Sequence, residues 1–147
     1  MSCTIRRITT GHSFGLTEVT VVKPFQLAVD IASLRRESTR LLEVPAGLSD
    51  KDAVFRWYAK SLPLPWYFGW NWDAFSECLR DLSWVKERRL VLFHRDVPIS
   101  ANPKDRKIYV EVLGCAATDW KPGEDHEVVV AFEPACELTL RAALRES

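Results

Sequence analysis

The sequence predicts an α/β fold in which helices pack on a short parallel β-sheet, with an extra N-terminal segment. Short apolar stretches rich in valine and leucine indicate strands, and between them apolar residues recur at spacings of three and four, which indicates helices. Strands that alternate with helices are typical of parallel sheets, because parallel neighbours need a crossover connection. The strands predicted in this way are Thr39–Val44, Arg89–His94 and Glu127–Phe132.

Capping residues and periodicity predict the helices. Ser49 is the expected N-cap of a first helix, which Pro63 ends. Apolar residues at helical spacing predict a second helix over Trp72–Ser83 and a third over Pro103–Ala117. All three lie between predicted strands, where crossover helices belong.

The first 38 residues have a different pattern from the rest of the chain. Leu16–Lys23 suits a strand that Pro24 would end, and Phe25–Leu34 suits a helix or a strand equally well. The residues after Pro134 are also ambiguous. We therefore divide the chain into an N-terminal extension packed on the domain (1–38), a main domain (39–133) and a C-terminal tail (134–147).

Length and composition indicate one ordinary cytoplasmic domain. The 147 residues are 47% hydrophobic, which is enough for a core without disulfides or a metal. The 20 basic and 20 acidic side chains cancel, which argues against direct nucleic-acid binding because such proteins usually carry a basic surplus. No apolar run could span a membrane, and residues 1–11 lack the apolar stretch of a secretory signal. The four cysteines form no CxxC pair and have no histidine at zinc-ligand spacing, so we expect reduced thiols, no metal and no cofactor.

Residues 64–79, LPWYFGWNWDAFSECL, carry the strongest functional signal. Asn71 is the expected N-cap of the helix, because its side-chain oxygen can accept a backbone N–H of the first turn. Gly69 allows a sharp turn before that cap. Some of the aromatic rings in this loop must be core, but exposed rings beside carboxylates are typical of interface hot spots. The rings are those of Trp66, Tyr67, Phe68, Trp70 and Trp72.

The helix after this loop carries a row of carboxylates. Asp73, Glu77 and Asp81 are four positions apart and therefore share one face. Like charges at this spacing cost roughly a few tenths of a kcal/mol, part of which Arg80 could relieve. The row is either a solvated helix face or a surface for a basic partner, and the neighbouring rings favour a partner. The opposite face carries Trp72, Phe75 and Leu79 toward the core.

This segment resembles the signature of the barstar family, intracellular inhibitors of barnase-type ribonucleases. The pattern LPxYFGxNWDAFxECL is specific in composition and spacing, and the order of elements matches from about Thr39 to Glu133. The resemblance implies a small, three-layer-like barstar fold and no enzymatic activity. It also implies that the loop and the next helix enter the ribonuclease active site, where acidic side chains replace the RNA phosphates. Carboxylates suit that role, since they form charge-assisted hydrogen bonds with the Arg, Lys and His groups that bind phosphate.

By this resemblance, the partner contacts come from the loop, the start of the next helix and the last helix of the domain. Glu77 stands where aspartate is usual, and Ser76 stands where an aromatic residue is common. Glu111 is the candidate for an acidic contact from the last helix, although the loop over 116–126 is longer here than in the family. The residues expected to bind the partner are Tyr67, Gly69, Trp70, Asn71, Trp72, Asp73, Glu77 and Glu111.

Other functions remain open at this stage. An immunity protein of the same fold could neutralise a toxin that is not a ribonuclease, because a fold does not fix its target. A general protein-interaction module is a third reading. An enzyme is disfavoured: Cys78 or Ser76 could be imagined beside His94, but Cys78 is predicted to be a buried apolar residue. We expect a bacterial immunity protein or antitoxin, a monomer, whose partner is a basic ribonuclease or another toxin protein.

Overall fold

A five-stranded sheet forms the centre of the computed structural model, which describes residues 21–62, 64–65, 68–121 and 123–145. The strand order is β1-β2-β5-β4-β3. The first strand is antiparallel to its neighbour, and the other four are parallel to one another. The strands are β1 (Val21–Val22), β2 (Phe25–Leu27), β3 (Thr39–Val44), β4 (Arg89–His94) and β5 (Glu127–Phe132).

Four α-helices and two short 3₁₀ helices accompany the sheet in these described residues. The connections from β3 to β4 and from β4 to β5 are helical, as parallel neighbours require. The predicted α/β fold with a parallel sheet is therefore confirmed. The α-helices are α1 (Lys51–Ser61), α2 (Trp72–Asp81), α3 (Pro103–Asp119) and α4 (Glu137–Arg145), and the 3₁₀ helices are Ile31–Leu34 and Pro134–Cys136.

The three predicted strands have the observed bounds, whereas three helix boundaries differ from prediction. Helix α2 stops at Asp81 because Leu82 adopts a left-handed conformation with φ of 50°, which closes the helix. The N-cap of α1 is Asp50 and not Ser49, since the Asp50 side chain accepts a hydrogen bond from the Ala53 N–H at 2.8 Å. The third helix continues two residues beyond Ala117.

The residues before β3 extend the sheet. Strand β2 pairs with the carboxyl end of β5, where Gln26 lies opposite Ala131, and β1 folds back on β2. The segment 25–34 is thus a strand followed by a 3₁₀ helix. Of the strand predicted over Leu16–Lys23, only Val21–Val22 is observed, and residues 1–20 lie outside the described part of the chain. The ambiguous C-terminal residues form α4, which buries Leu140 and packs on α3.

Both faces of the sheet are covered, which explains the continuous apolar run of β4. Leu90 and Leu92 belong to the large core shared with the helices. Val91 and Phe93 belong to a second cluster on the other face, together with Leu34 of the first 3₁₀ helix. All four strand residues are fully buried. A strand buried on both faces has no reason to alternate apolar and polar residues.

The cysteines do not all carry free thiols. Cys78 and Cys136 are free and buried. Cys115 takes part in a disulfide bond, so the expectation of reduced thiols is wrong at this position. Cys3 lies outside the described residues. In the described part of the chain, no helix combines the length and the apolar character needed to cross a membrane.

A chain of buried hydrogen bonds joins β5, β4, α3 and α1. His94 Nδ1 lies 3.0 Å from the Ala131 carbonyl oxygen, and His94 Nε2 lies 2.7 Å from the Tyr109 hydroxyl. The Tyr109 hydroxyl is in turn 2.7 Å from the Tyr58 hydroxyl. A carbonyl can only accept, so Nδ1 carries the proton, Tyr109 donates to Nε2 and Tyr58 donates to Tyr109. The three side chains are fully buried, and each has a partner within the chain.

We expect this network to make stability depend on pH. Burial lowers the pKa of His94 to about 4, despite its bond to the Ala131 carbonyl. The unfolded chain binds a proton at this residue near its ordinary pKa of 6.5, so stability is complete above that pH and is lost as the pH falls toward 4. His94 alone should lower the free energy of unfolding by about 3 kcal/mol between pH 7 and pH 4. Urea unfolding across this range should give a flatter profile for His94→Gln, and equal slopes would contradict the assignment.

The direction of the hydrogen bonds predicts unequal costs for removing the two hydroxyls. Tyr109→Phe removes the donor to His94 and leaves the Tyr58 hydroxyl without an acceptor, so we expect a loss of roughly 2–3 kcal/mol. Tyr58→Phe removes only a donor at the end of the chain, for which we expect about 1 kcal/mol. Chemical denaturation of both variants tests this order. If Tyr58→Phe is the more damaging, the bonds run in the opposite direction.

Candidate functional site

The candidate site begins with a turn and a capped helix start. The Asn71 side-chain oxygen accepts a hydrogen bond from the Ala74 N–H at 2.8 Å, which confirms the predicted N-cap. The amide nitrogen of the same side chain donates to the Gly69 carbonyl at 3.2 Å. A Cβ at Gly69 would lie 3.2 Å from that amide nitrogen, so a side chain there would crowd the cap. Glycine and asparagine together therefore fix where α2 starts.

The carboxylates of α2 form an exposed row, as their spacing predicts. Asp73, Glu77 and Asp81, which we call the acidic row, are all exposed. Arg80 is drawn toward α3: its guanidinium lies 3.5 Å from a carboxylate oxygen of Asp119. Within the described residues, the carboxylates of Asp73 and Glu77 take part in no ion pair or hydrogen bond. Asp73 and Glu77 thus present negative charge that no cation of the described chain pairs with.

Trp72 serves the interior more than the surface. Its ring is half-buried and lies 4.9 Å from the Phe55 ring and 6.2 Å from the Tyr109 ring, measured between centroids. Its indole N–H donates a long hydrogen bond of 3.4 Å to Asp105 at the start of α3. Trp72 therefore ties the beginning of α2 to α1 and α3, and partner contact by its remaining exposed surface stays a prediction.

Among the described residues of this loop, Trp70 carries the exposed ring. Its side chain is 53% exposed, and its φ of 57° is a left-handed conformation that bulky residues rarely adopt. Such a conformation costs about 1–2 kcal/mol for a residue with a Cβ. The ring contacts Phe68, with 5.2 Å between centroids, and Phe68 is itself buried. The left-handed φ turns the chain before the N-cap, and left-handed residues also occur elsewhere in this fold, at Ser38, Leu82 and Ile99. The exposure of a large ring is what distinguishes Trp70 from those residues.

The structure says less about two other residues expected to contact the partner, Tyr67 and Glu111. Tyr67, like Trp66, lies outside the described residues. Glu111 lies on α3 between two buried valines and is half-buried, so its contact with a partner stays a prediction. Asp105, which the structure brings against Trp72, is not among the residues predicted from the sequence. Its one local signal was its place in the first turn of a helix that Pro103 begins.

The groups considered as nucleophiles or bases are each buried, and His94 and Ser76 are hydrogen-bonded within the fold. Cys78 is buried, and burial together with the nearby carboxylates of Asp81 and Glu77 raises its pKa to about 11, so the thiol stays protonated near neutral pH. Both ring nitrogens of His94 are occupied within the buried network. The Ser76 hydroxyl accepts a hydrogen bond from Arg80 at 3.1 Å. Among the described residues, no three His, Cys, Asp or Glu side chains are grouped to hold a metal ion.

The N-cap gives a direct test of the local structure. Asn71→Ala removes the acceptor for the Ala74 N–H and should lower the free energy of unfolding by about 1 kcal/mol. Asn71→Asp keeps an acceptor oxygen and should cost much less. Urea titrations of the two variants provide the comparison. Equal losses would show that the cap bond does not stabilise this helix.

Comparison with known families gives one match. A family model described as "Barstar (barnase inhibitor)" matches residues 41–133. The matched range runs from the third residue of β3 to the residue after β5. It contains all of α2 and α3, whereas β1, β2 and α4 lie outside it. Curated protein sequences and solved structures give no significant match.

Proposed function

The chain belongs to the barstar family, and we propose that it inhibits a ribonuclease of the barnase type by covering the active site. The family consists of inhibitors and not of enzymes, which supports a protein partner. The observation that carries the proposal is the exposed acidic row next to the exposed Trp70, on a helix whose start is fixed by a cap. This surface has the charge and the aromatic content of a binding site for a basic protein.

The charges of the row suit a phosphate-binding active site. Asp73 and Glu77 are one helical turn apart, or about 6 Å along the helix axis. Since neither carboxylate has an ion pair within the described residues, neither must break one before it meets a cation of the partner. Arg, Lys and His groups that hold RNA phosphates would form charge-assisted hydrogen bonds with both. The two carboxylates thereby take the place of phosphate groups.

The site is also held in place before binding. The N-cap fixes the first turn of α2, and Trp72 packs on Phe55 and Tyr109 behind it. Phe75 and Leu79 are fully buried beneath the row. A surface held in this way loses little conformational entropy when it binds, so more of the contact energy remains as affinity.

The remaining parts of the proposal rest on the family resemblance. The chain has no net charge, so long-range attraction of a basic partner depends on the local row and should be weaker than for an acidic inhibitor. We take the protein to act as a monomer in the bacterial cytoplasm, as an immunity protein or antitoxin. The proposed contact residues are Tyr67, Gly69, Trp70, Asn71, Trp72, Asp73, Glu77 and Glu111.

Neutralising the row should abolish tight inhibition. With a purified barnase-type ribonuclease, we expect Asp73→Asn/Glu77→Gln to raise the inhibition constant at least about 100-fold, because two charge-assisted hydrogen bonds are lost. The matched control is Asp52→Asn, which neutralises an exposed first-turn carboxylate on α1. An RNA-cleavage assay at fixed ionic strength gives the constants. The proposal fails if wild type does not inhibit, or if the double variant inhibits as well as the control.

A second candidate is neutralisation of a toxin that is not a ribonuclease. It is favoured by the difference at Ser76, the α2 position where the family commonly has an aromatic residue. Here Ser76 is buried and bonded to Arg80, and Arg80 is paired with Asp119. A changed face of this kind suits a changed partner. Affinity capture from the native organism with wild type and the double variant, followed by an RNA-cleavage assay on the captured protein, separates the two candidates.

A further inference from the structure

Trp70 differs from the other exposed apolar residues of the described chain by its position. The large hydrophobic side chains that remain more than half exposed there are Val29, Trp70 and Leu138. Val29 follows β2 and Leu138 lies on α4, whereas Trp70 stands three positions before Asp73 and directly precedes the N-cap. Among the described residues it is therefore the large exposed ring next to Asp73 and Glu77.

The ring is held by its surroundings and does not hang from a loose loop. It contacts the Phe68 ring, which is buried and packs edge-on against Phe55 at 5.4 Å between centroids. The backbone on its far side is fixed by the Asn71 cap, and the left-handed φ of 57° turns the chain between Gly69 and Asn71. The left-handed backbone thus holds an exposed planar ring in the turn directly before the helix that carries the acidic row.

A ribonuclease active site recognises two chemically different groups of its substrate. It binds anionic phosphates with cationic side chains, and it binds planar bases by stacking them on aromatic rings or guanidinium groups. Stacking needs a π-face and tolerates different rings, so an indole can take the place of a base. The indole of tryptophan has two fused rings, as a purine has.

We propose that Trp70 occupies the base-binding pocket of the partner ribonuclease while Asp73 and Glu77 occupy its phosphate sites. The inhibitor surface then imitates a short piece of RNA, with one planar ring followed by two anions. This inference rests on the proposed function and adds the chemistry of the partner. That partner has a stacking pocket large enough for a purine beside its cationic centre.

Competition with two small probes tests this assignment. The probes are guanosine, which has a base and no phosphate, and inorganic phosphate, which has no base. The dissociation constant of the complex with the ribonuclease is measured by calorimetry, with each probe at ten times its own dissociation constant. The proteins compared are wild type, Trp70→Ala and Asp73→Asn/Glu77→Gln. A probe that competes for an occupied pocket weakens the complex about tenfold at this concentration.

We expect a crossed pattern. Guanosine should weaken binding of wild type and of the double acidic variant about tenfold, and it should leave binding of Trp70→Ala unchanged. Phosphate should weaken binding of wild type and Trp70→Ala, and it should leave the double acidic variant unchanged. The inference is overturned if guanosine weakens wild type and Trp70→Ala equally, or weakens neither. If wild type does not bind the ribonuclease, the proposed function falls with it.

Two control variants guard against loss of folding and against general surface effects. Trp70→Asn suits the left-handed backbone better than alanine does, so it should fold at least as stably as wild type and should also lose competition by guanosine. Leu138→Ala removes an exposed apolar side chain of α4 and should leave the dissociation constant unchanged. A Leu138 variant that weakens binding as much as the Trp70 variants would overturn the assignment of the pocket to Trp70.

Discussion

The buried hydrogen-bond chain from Ala131 through His94 and Tyr109 to Tyr58 is the contact on which the orientation of α2 depends. It joins two central strands to α3 and α1, the helices against which α2 packs. Phe75 stacks on the Tyr109 ring at 6.3 Å and meets the Tyr58 ring at 4.8 Å. The hydroxyls find their hydrogen-bond partners in only one arrangement of these helices. The network therefore specifies how the helices pack, which apolar burial alone would not do. Because α2 packs on α1 and α3, this arrangement also sets the direction in which the acidic row faces.

Helix α2 separates stability from recognition on its two faces. Its inner face buries Phe75 and Leu79 completely, so tertiary packing holds the helix and little stabilisation is needed from the outer face. The outer face can therefore carry Asp73 and Glu77 without lysines at helical spacing between them. Arg80, the basic residue of the helix, is directed to α3. The helix does not need the negative charge of Asp73 and Glu77 for its stability, and this charge remains accessible to a partner.

The sequence allowed prediction of the features that depend on neighbouring residues. The bounds of β4 follow from a local apolar run, and the start of α2 follows from Asn71 and the periodicity after it. Features that join distant residues were not predictable. Strand β2 has only three residues, and it pairs with β5, a strand about a hundred positions away. Arg80 forms its ion pair with Asp119 of α3 and not with a carboxylate of its own helix, and tertiary packing decides this. Asp50 and Ser49 are both good caps, so their order along the chain could not decide between them.

The conformation of Trp70 has a consequence for how the chain can change over evolutionary time. Glycine at this position would remove the penalty of the left-handed backbone and the cost of an exposed indole. Selection for folding alone removes only variants that are too unstable. It would therefore not protect a tryptophan whose replacement stabilises the fold. Selection for the proposed contact of Trp70 with a partner would oppose such a replacement, so the residue found at position 70 depends on binding as well as on folding.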